Sequence, residues 1–121
     1  MSWSGTMNCN VQNVTGGVVA VVVQHALGDK TDTLGFTVLQ NTESANFTLN
    51  VGSGNNDLWS VWMMDTGGTF LYRDGKQCNV EEGDMSSGNP VNFNLGPAAQ
   101  GFSVNLPDSS SCTNNYYDSQ H

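Results

Sequence analysis

Thr6-Met7-Asn8-Cys9-Asn10-Val11-Gln12-Asn13-Val14 alternates polar and apolar residues with a period of two. Successive side chains of an extended chain point to opposite faces, so this spacing places Met7, Cys9 and Val11 on one face of a half-buried strand. Working outward, Thr15-Gly16-Gly17 supplies residues suited to positive φ and predicts a tight hairpin. Val18 to Gln24 follows, so continuously β-branched that it reads as a central strand, buried on both faces or nearly so. A polar loop around Gly28-Asp29-Lys30-Thr31-Asp32 precedes a strand from Leu34 to Leu39. Asn46-Phe47-Thr48-Leu49-Asn50-Val51 alternates again, with Phe47, Leu49 and Val51 inward.

The most aromatic run is Leu58-Trp59-Ser60-Val61-Trp62-Met63-Met64. Thr66-Gly67-Gly68 turns it back into Thr69-Phe70-Leu71-Tyr72-Arg73, and the two segments form a hairpin. From Asp74-Gly75 to Pro90 there is little periodicity, and a loop of that length is often functional or holds a short turn of helix. Val91 to Leu95 and Gly101 to Leu106 complete the strands, with Gly96-Pro97 between them. About eight short strands joined by short links predict an all-β, single-domain antiparallel β-sandwich, with a small β-barrel as the alternative. Residues 5–106 form the sandwich and residues 107–121 a polar tail, ordered only where Cys112 or Tyr116-Tyr117 ties it down.

Composition agrees. In 121 residues there are 15 Asn, 14 Gly, 12 Ser, 10 Thr and 13 Val, and charged residues make up 12%. That is turn-forming and β-branched material, poor in helix formers. The net charge of −8, with Lys30, Arg73 and Lys76 the only bases, argues against nucleic acid, which needs a basic face. The longest apolar run, Val18 to Val23, is too short for a membrane-spanning helix. Cys9, Cys78 and Cys112 show no metal-ligand spacing and allow one internal bridge. The opening residues show no secretion signal, which points to a cytoplasmic protein with free thiols; the alternative is a secreted product whose leader has been removed.

The segment Lys76-Gln77-Cys78-Asn79-Val80-Glu81-Glu82-Gly83-Asp84, followed by Ser87-Gly88-Asn89-Pro90-Val91, resembles small β-sandwich proteins of the Up-regulated-in-Daf-Two domain family. Gly52-Ser53-Gly54-Asn55-Asn56-Asp57-Leu58-Trp59-Ser60-Val61 and Gly5-Thr6-Met7-Asn8-Cys9-Asn10-Val11 resemble the same group. The likeness implies an aegerolysin-like shape and, through the actinoporin-like sandwiches, a membrane surface as a partner, by analogy of fold. The chain departs from that picture in having no basic patch.

Candidate site residues follow from the aromatic hairpin. With Trp59, Val61 and Met63 facing the core, alternation sends Trp62 and Met64 to the other face, where an indole suits a sugar ring, a lipid interface or a neighbouring subunit. Asp57, Arg73 and Asp74 stand at the strand ends and, meeting at one rim, would offer hydrogen bonds to hydroxyls. The expected ligand-binding set is therefore Trp62, Tyr72, Asp57, Arg73 and Trp59, with a carbohydrate or lipid head group as ligand. Asp29-Lys30-Thr31-Asp32 and Glu81-Glu82-Gly83-Asp84 lack calcium-loop spacing and read as solvated acidic loops, so no metal or cofactor is expected. His25, at a strand end, reads as a structural hydrogen-bonder, and no nucleophile motif is present, so no enzyme is expected. The function expected is a non-catalytic binding module at one end of the sandwich. The alternative is a structural protein that forms a homo- or hetero-dimer through an exposed apolar face.

Overall fold

The computed structural model describes residues 5–52, 57–67, 70–97, 101–108 and 112–113, with the backbone alone for 70–76 and 112–113. The elements are β1 (Gly5–Asn13), β2 (Val19–Leu27), β3 (Lys30–Leu39), β4 (Ser44–Val51), β5 (Leu58–Asp65), β6 (Phe70–Gln77), α1 (Glu82–Ser86), β7 (Val91–Leu95), β8 (Phe102–Asn105) and β9 (Cys112–Thr113). They form two sheets, of order β4-β1-β7-β8-β9 and β3-β2-β5-β6. The protein is all-β, and two separate sheets make it a sandwich rather than a closed barrel. No helix among the described residues is long and apolar enough to cross a membrane.

The period-two pattern builds the core as expected. Met7, Cys9, Val11, Leu49, Val51, Val91, Phe93, Leu95, Phe102 and Val104 of one sheet are buried against Val19, Val21, Val23, Trp59, Val61 and Met63 of the other. The Phe93 and Phe102 rings stack with centroids 4.9 Å apart, and Trp59 lies 6.4 Å from Phe93. β2 is a central strand between β3 and β5, with its outward Val22 half-buried. The aromatic hairpin forms as β5–β6, and the aperiodic loop contains the short helix α1.

Several expectations are corrected. Thr15-Gly16-Gly17 is not a hairpin: β1 pairs with β4 and β7, so this turn carries the chain from one sheet to the other. Gly16 has φ +93°, as the tight turn requires. The crossing is held by Asn13, fully buried, whose Nδ2 donates to the carbonyls of Gly17 (2.7 Å), Leu39 (3.1 Å) and Gln40 (3.0 Å). The pairing is not wholly antiparallel, since β1 and β7 run parallel, Cys9 opposite Val91. No short link joins those two strands, so chain connectivity does not dictate their direction. The polar loop at 28–32 shrinks to the turn Gly28-Asp29, because β3 already begins at Lys30, opposite Leu27. Within the segment read as a polar tail, Cys112 pairs with Val104 in β9, at one of the points where order was allowed for. Of the thiols, Cys9 is free and buried, whereas Cys78 is disulfide-bonded, contrary to the expectation of free thiols throughout. Burial pushes the Cys9 thiol far up from its ordinary pKa.

Candidate functional site

The outer face of β3, β2 and β5 is largely apolar. Cross-strand register sets Ala20 between Val38 and Met64, and Val22 beside Trp62. Between Val21 and Val23 the register with β3 shifts, so that Gly35 and Phe36 together stand opposite Val22. This bulge keeps Leu34 and Thr37 both on the inner side and leaves Phe36 outside. Phe36 is 62% exposed, Val38 49%, Trp62 47% and Leu58 45%. The polar neighbours on the outer side of β2, β3 and β5 are uncharged: Gln24, Thr31, Thr33 and Ser60.

The inner end of the same sheet holds a buried polar cluster. Continuing the inward series Val19, Val21, Val23 brings His25 into the interior with no exposed surface. Its Nε2 lies 2.7 Å from Asp57 Oδ2 and its Nδ1 3.1 Å from Asp32 Oδ2. Two hydrogens must be shared among the ring and the two carboxyls to satisfy both contacts. Backbone and amide donors also reach the two carboxyls. Asp57 Oδ1 accepts from Val80 N–H (3.2 Å), while Asp32 accepts from Asn50 N–H (2.8 Å) and Asn50 Nδ2 (2.7 Å). Burial pushes the Asp32 carboxyl up, but the Asn50 backbone N–H, His25 and the Asn50 amide outweigh it and hold it below the ordinary carboxylate value. The Trp59 ring lies 4.4 Å from the imidazole, and its Nε1 donates to Cys78 O at 2.8 Å.

This cluster joins β2, β3, β5, the edge of β4 in the opposite sheet and the segment entering α1. With His25 and Asp57 both 0% exposed and both ring nitrogens engaged, it pins the sheets together and offers no surface to a ligand. His25 is thus a structural hydrogen-bonder, as its strand-end position suggests. The acidic segments are corrected in part. Asp32 belongs to β3 and turns inward, and Asp84 is fully buried, accepting from Glu81 N–H and Asp108 N–H at 2.9 Å each. Glu81 and Glu82 remain exposed.

The outer face of the other sheet has the opposite chemistry. Asn10 pairs across β1–β4 with Asn46 and across β1–β7 with Asn92, which pairs in turn with Asn105. Asn10 Nδ2 donates to Asn46 Oδ1 at 3.1 Å. At one end a groove of about 480 Å³ lies between Thr6, Asn8 and Asn46 on the sheet and Met85, Asn89 and Pro90 beyond it.

Of the five expected ligand-binding residues, only Trp62 is placed at a described surface. Asp57 and Trp59 are corrected: both are fully buried, because they share the inward parity of Val61 and Met63. Tyr72 and Arg73 fall opposite Met63 and Trp62 in the register, but their side chains lie outside the described residues, as does that of Asp74. The His25–Asp32–Asp57 cluster and the amide face escaped the sequence reading. Strand parity was the available signal for both. No protein-family model matches the chain, and no curated protein matches it in sequence.

Proposed function

We propose that the chain is a non-catalytic interaction module that self-associates by laying the outer face of its β3-β2-β5-β6 sheet against the same face of a second copy. The supporting observation is the apolar strip of Phe36, Val38, Val22, Trp62 and Met64 on β3, β2 and β5, whose outward polar residues are uncharged. Sheets pack face to face through such surfaces, and a two-fold axis makes one patch its own complement. Trp62, the largest side chain of the strip and 47% exposed, is the anchor, since buried aromatic residues dominate association energies. The net charge of −8 disfavours an anionic lipid surface, and the absence of carboxylates among the outward residues of β2, β3 and β5 keeps that charge away from the contact.

A glycan or lipid head group held at the strand ends loses support, because Asp57, one of its two orienting groups beside Arg73, is spent on His25 and Val80. The family likeness leaves room for self-association. The disulfide at Cys78 favours an oxidising compartment over the cytoplasm as the place of action.

Sedimentation velocity over a concentration series tests the reading. Reversible dimerisation is expected, stronger with added salt as like charges are screened, and weakened about 30-fold in Trp62→Ala. A monomer at every concentration, combined with Trp62-dependent binding to a glycan array or to liposomes, would replace self-association with ligand binding.

A further inference from the structure

We infer that the groove beside β1 and β4 binds a neutral oligosaccharide, and that the amide-lined sheet face leading from it carries the sugar chain onward. Three observations converge on this, all independent of the apolar face. The groove, at about 480 Å³, falls within the range of roughly 300–1,000 Å³ that small-ligand sites occupy.

Its lining is selective in kind. Asn8, Asn46 and Asn89 supply amides, each both donor and acceptor, and Thr6 adds a hydroxyl. A sugar hydroxyl is likewise donor and acceptor, so the two sets match without any charge. Met85 and Pro90 add apolar surface for the C–H face of a ring. Among the described residues no carboxylate, ammonium or guanidinium lines the groove, which removes the usual means of holding an anion or a cation.

The third observation is energetic. Asn8, Asn10, Asn46, Asn92, Asn94 and Asn105 occupy outward positions of β1, β4, β7 and β8, where asparagine is among the poorer strand formers. Thr at the same positions would stabilise the sheet. The Asn10–Asn46 hydrogen bond orders two of the amides before any ligand arrives, which lowers the entropy lost on binding. The register Asn46, Asn10, Asn92, Asn105 runs across four adjacent strands, a span that suits several sugar units rather than one.

The test is a titration of the ¹⁵N-labelled full chain, from a host that does not N-glycosylate Asn46-Phe47-Thr48, with cello-, chito-, manno- and malto-hexaose and a sulfated heparin hexasaccharide. At least one neutral sugar is expected to give saturable shifts at Thr6, Asn8, Asn46 and Asn89, with the sulfated sugar giving none. Asn8→Ala combined with Asn46→Ala should weaken that binding by about tenfold or more with an unchanged melting temperature, and Trp62→Ala should leave it intact. Absence of saturable shifts with every neutral sugar, preference for the sulfated one, or shifts confined to the Trp62 face would overturn the inference. Dimerisation through the apolar face is read separately by sedimentation, so either proposal can fail alone.

Discussion

The two outer faces of this sandwich start from the same rule and end in opposite chemistry. Both sheets present valine, leucine and aromatic side chains inward at every second position. On β1, β4, β7 and β8 the intervening positions are Asn, Thr, Ser and Gln, whereas on β2, β3 and β5 they include Val22, Phe36, Val38, Trp62 and Met64. Folding needs only the inner set. An uncharged amide face is soluble and can meet hydroxyls; an apolar face is costly in water and gains by being covered. The inner pattern specifies the sandwich, and the outer pattern gives its two sides different chemistry.

The most drastic way to break the contrast is to unpin the two sheets. Asp57→Ala leaves His25 without its closest partner and orphans Val80 N–H, and is expected to cost about 3–5 kcal/mol of unfolding free energy in a denaturant titration. A loss below about 1 kcal/mol would show that the cluster does not hold the sheets. Next in size, Trp62→Ala should raise the dimer dissociation constant by about 30-fold, near 2 kcal/mol, in sedimentation equilibrium. Its effect on monomer unfolding should be far smaller, because the indole is 47% exposed.

How much was legible follows from these same residues. The alternation in β1, β4 and β5 identified the strands and most of the core, because burial of one face imposes a period of two whatever the neighbouring strand is. The partition into sheets was hidden, since Thr15-Gly16-Gly17 has hairpin composition and only the distant partners of β1, Phe47 and Val91 among them, show that it crosses between layers. Asp57 and Asp32 were misplaced because carboxylates belong outside by default. Parity contradicted that default: Asp57 stands two residues before Trp59, and His25 two after Val23. A charged residue at an inward position implies a buried partner, and here the partners sit at matching inward positions on neighbouring strands. Glu81-Glu82-Gly83-Asp84 carried no such periodicity, so the burial of Asp84 by contacts with distant backbone was not readable.

Smaller effects sharpen the picture. The Asp32 carboxyl is held below its ordinary value in the folded protein, so its contribution to stability is present above the unfolded pKa of about 3.9 and is lost as pH falls through the folded value. Thermal melts should therefore show a stability loss on acidification below about pH 4. Asp32→Asn should be less stable at neutral pH and flatter over that window; an unchanged acid profile would remove Asp32 from the account. The smallest change expected is at Thr42, a β-branched residue with φ +70° in the turn linking the two sheets. Thr42→Asn should gain about 0.5–1 kcal/mol, read by the same denaturant titration, and leave both outer faces untouched.

The central claim, that the apolar face is the surface covered by a second copy, is tested most directly by a dilution series of ¹⁵N correlation spectra. Signals of Val22, Phe36, Val38 and the Trp62 indole should move with concentration while those of Asn8, Asn46 and Asn92 stay fixed. Spectra that superimpose at all concentrations, or movement confined to the asparagine face, would contradict it.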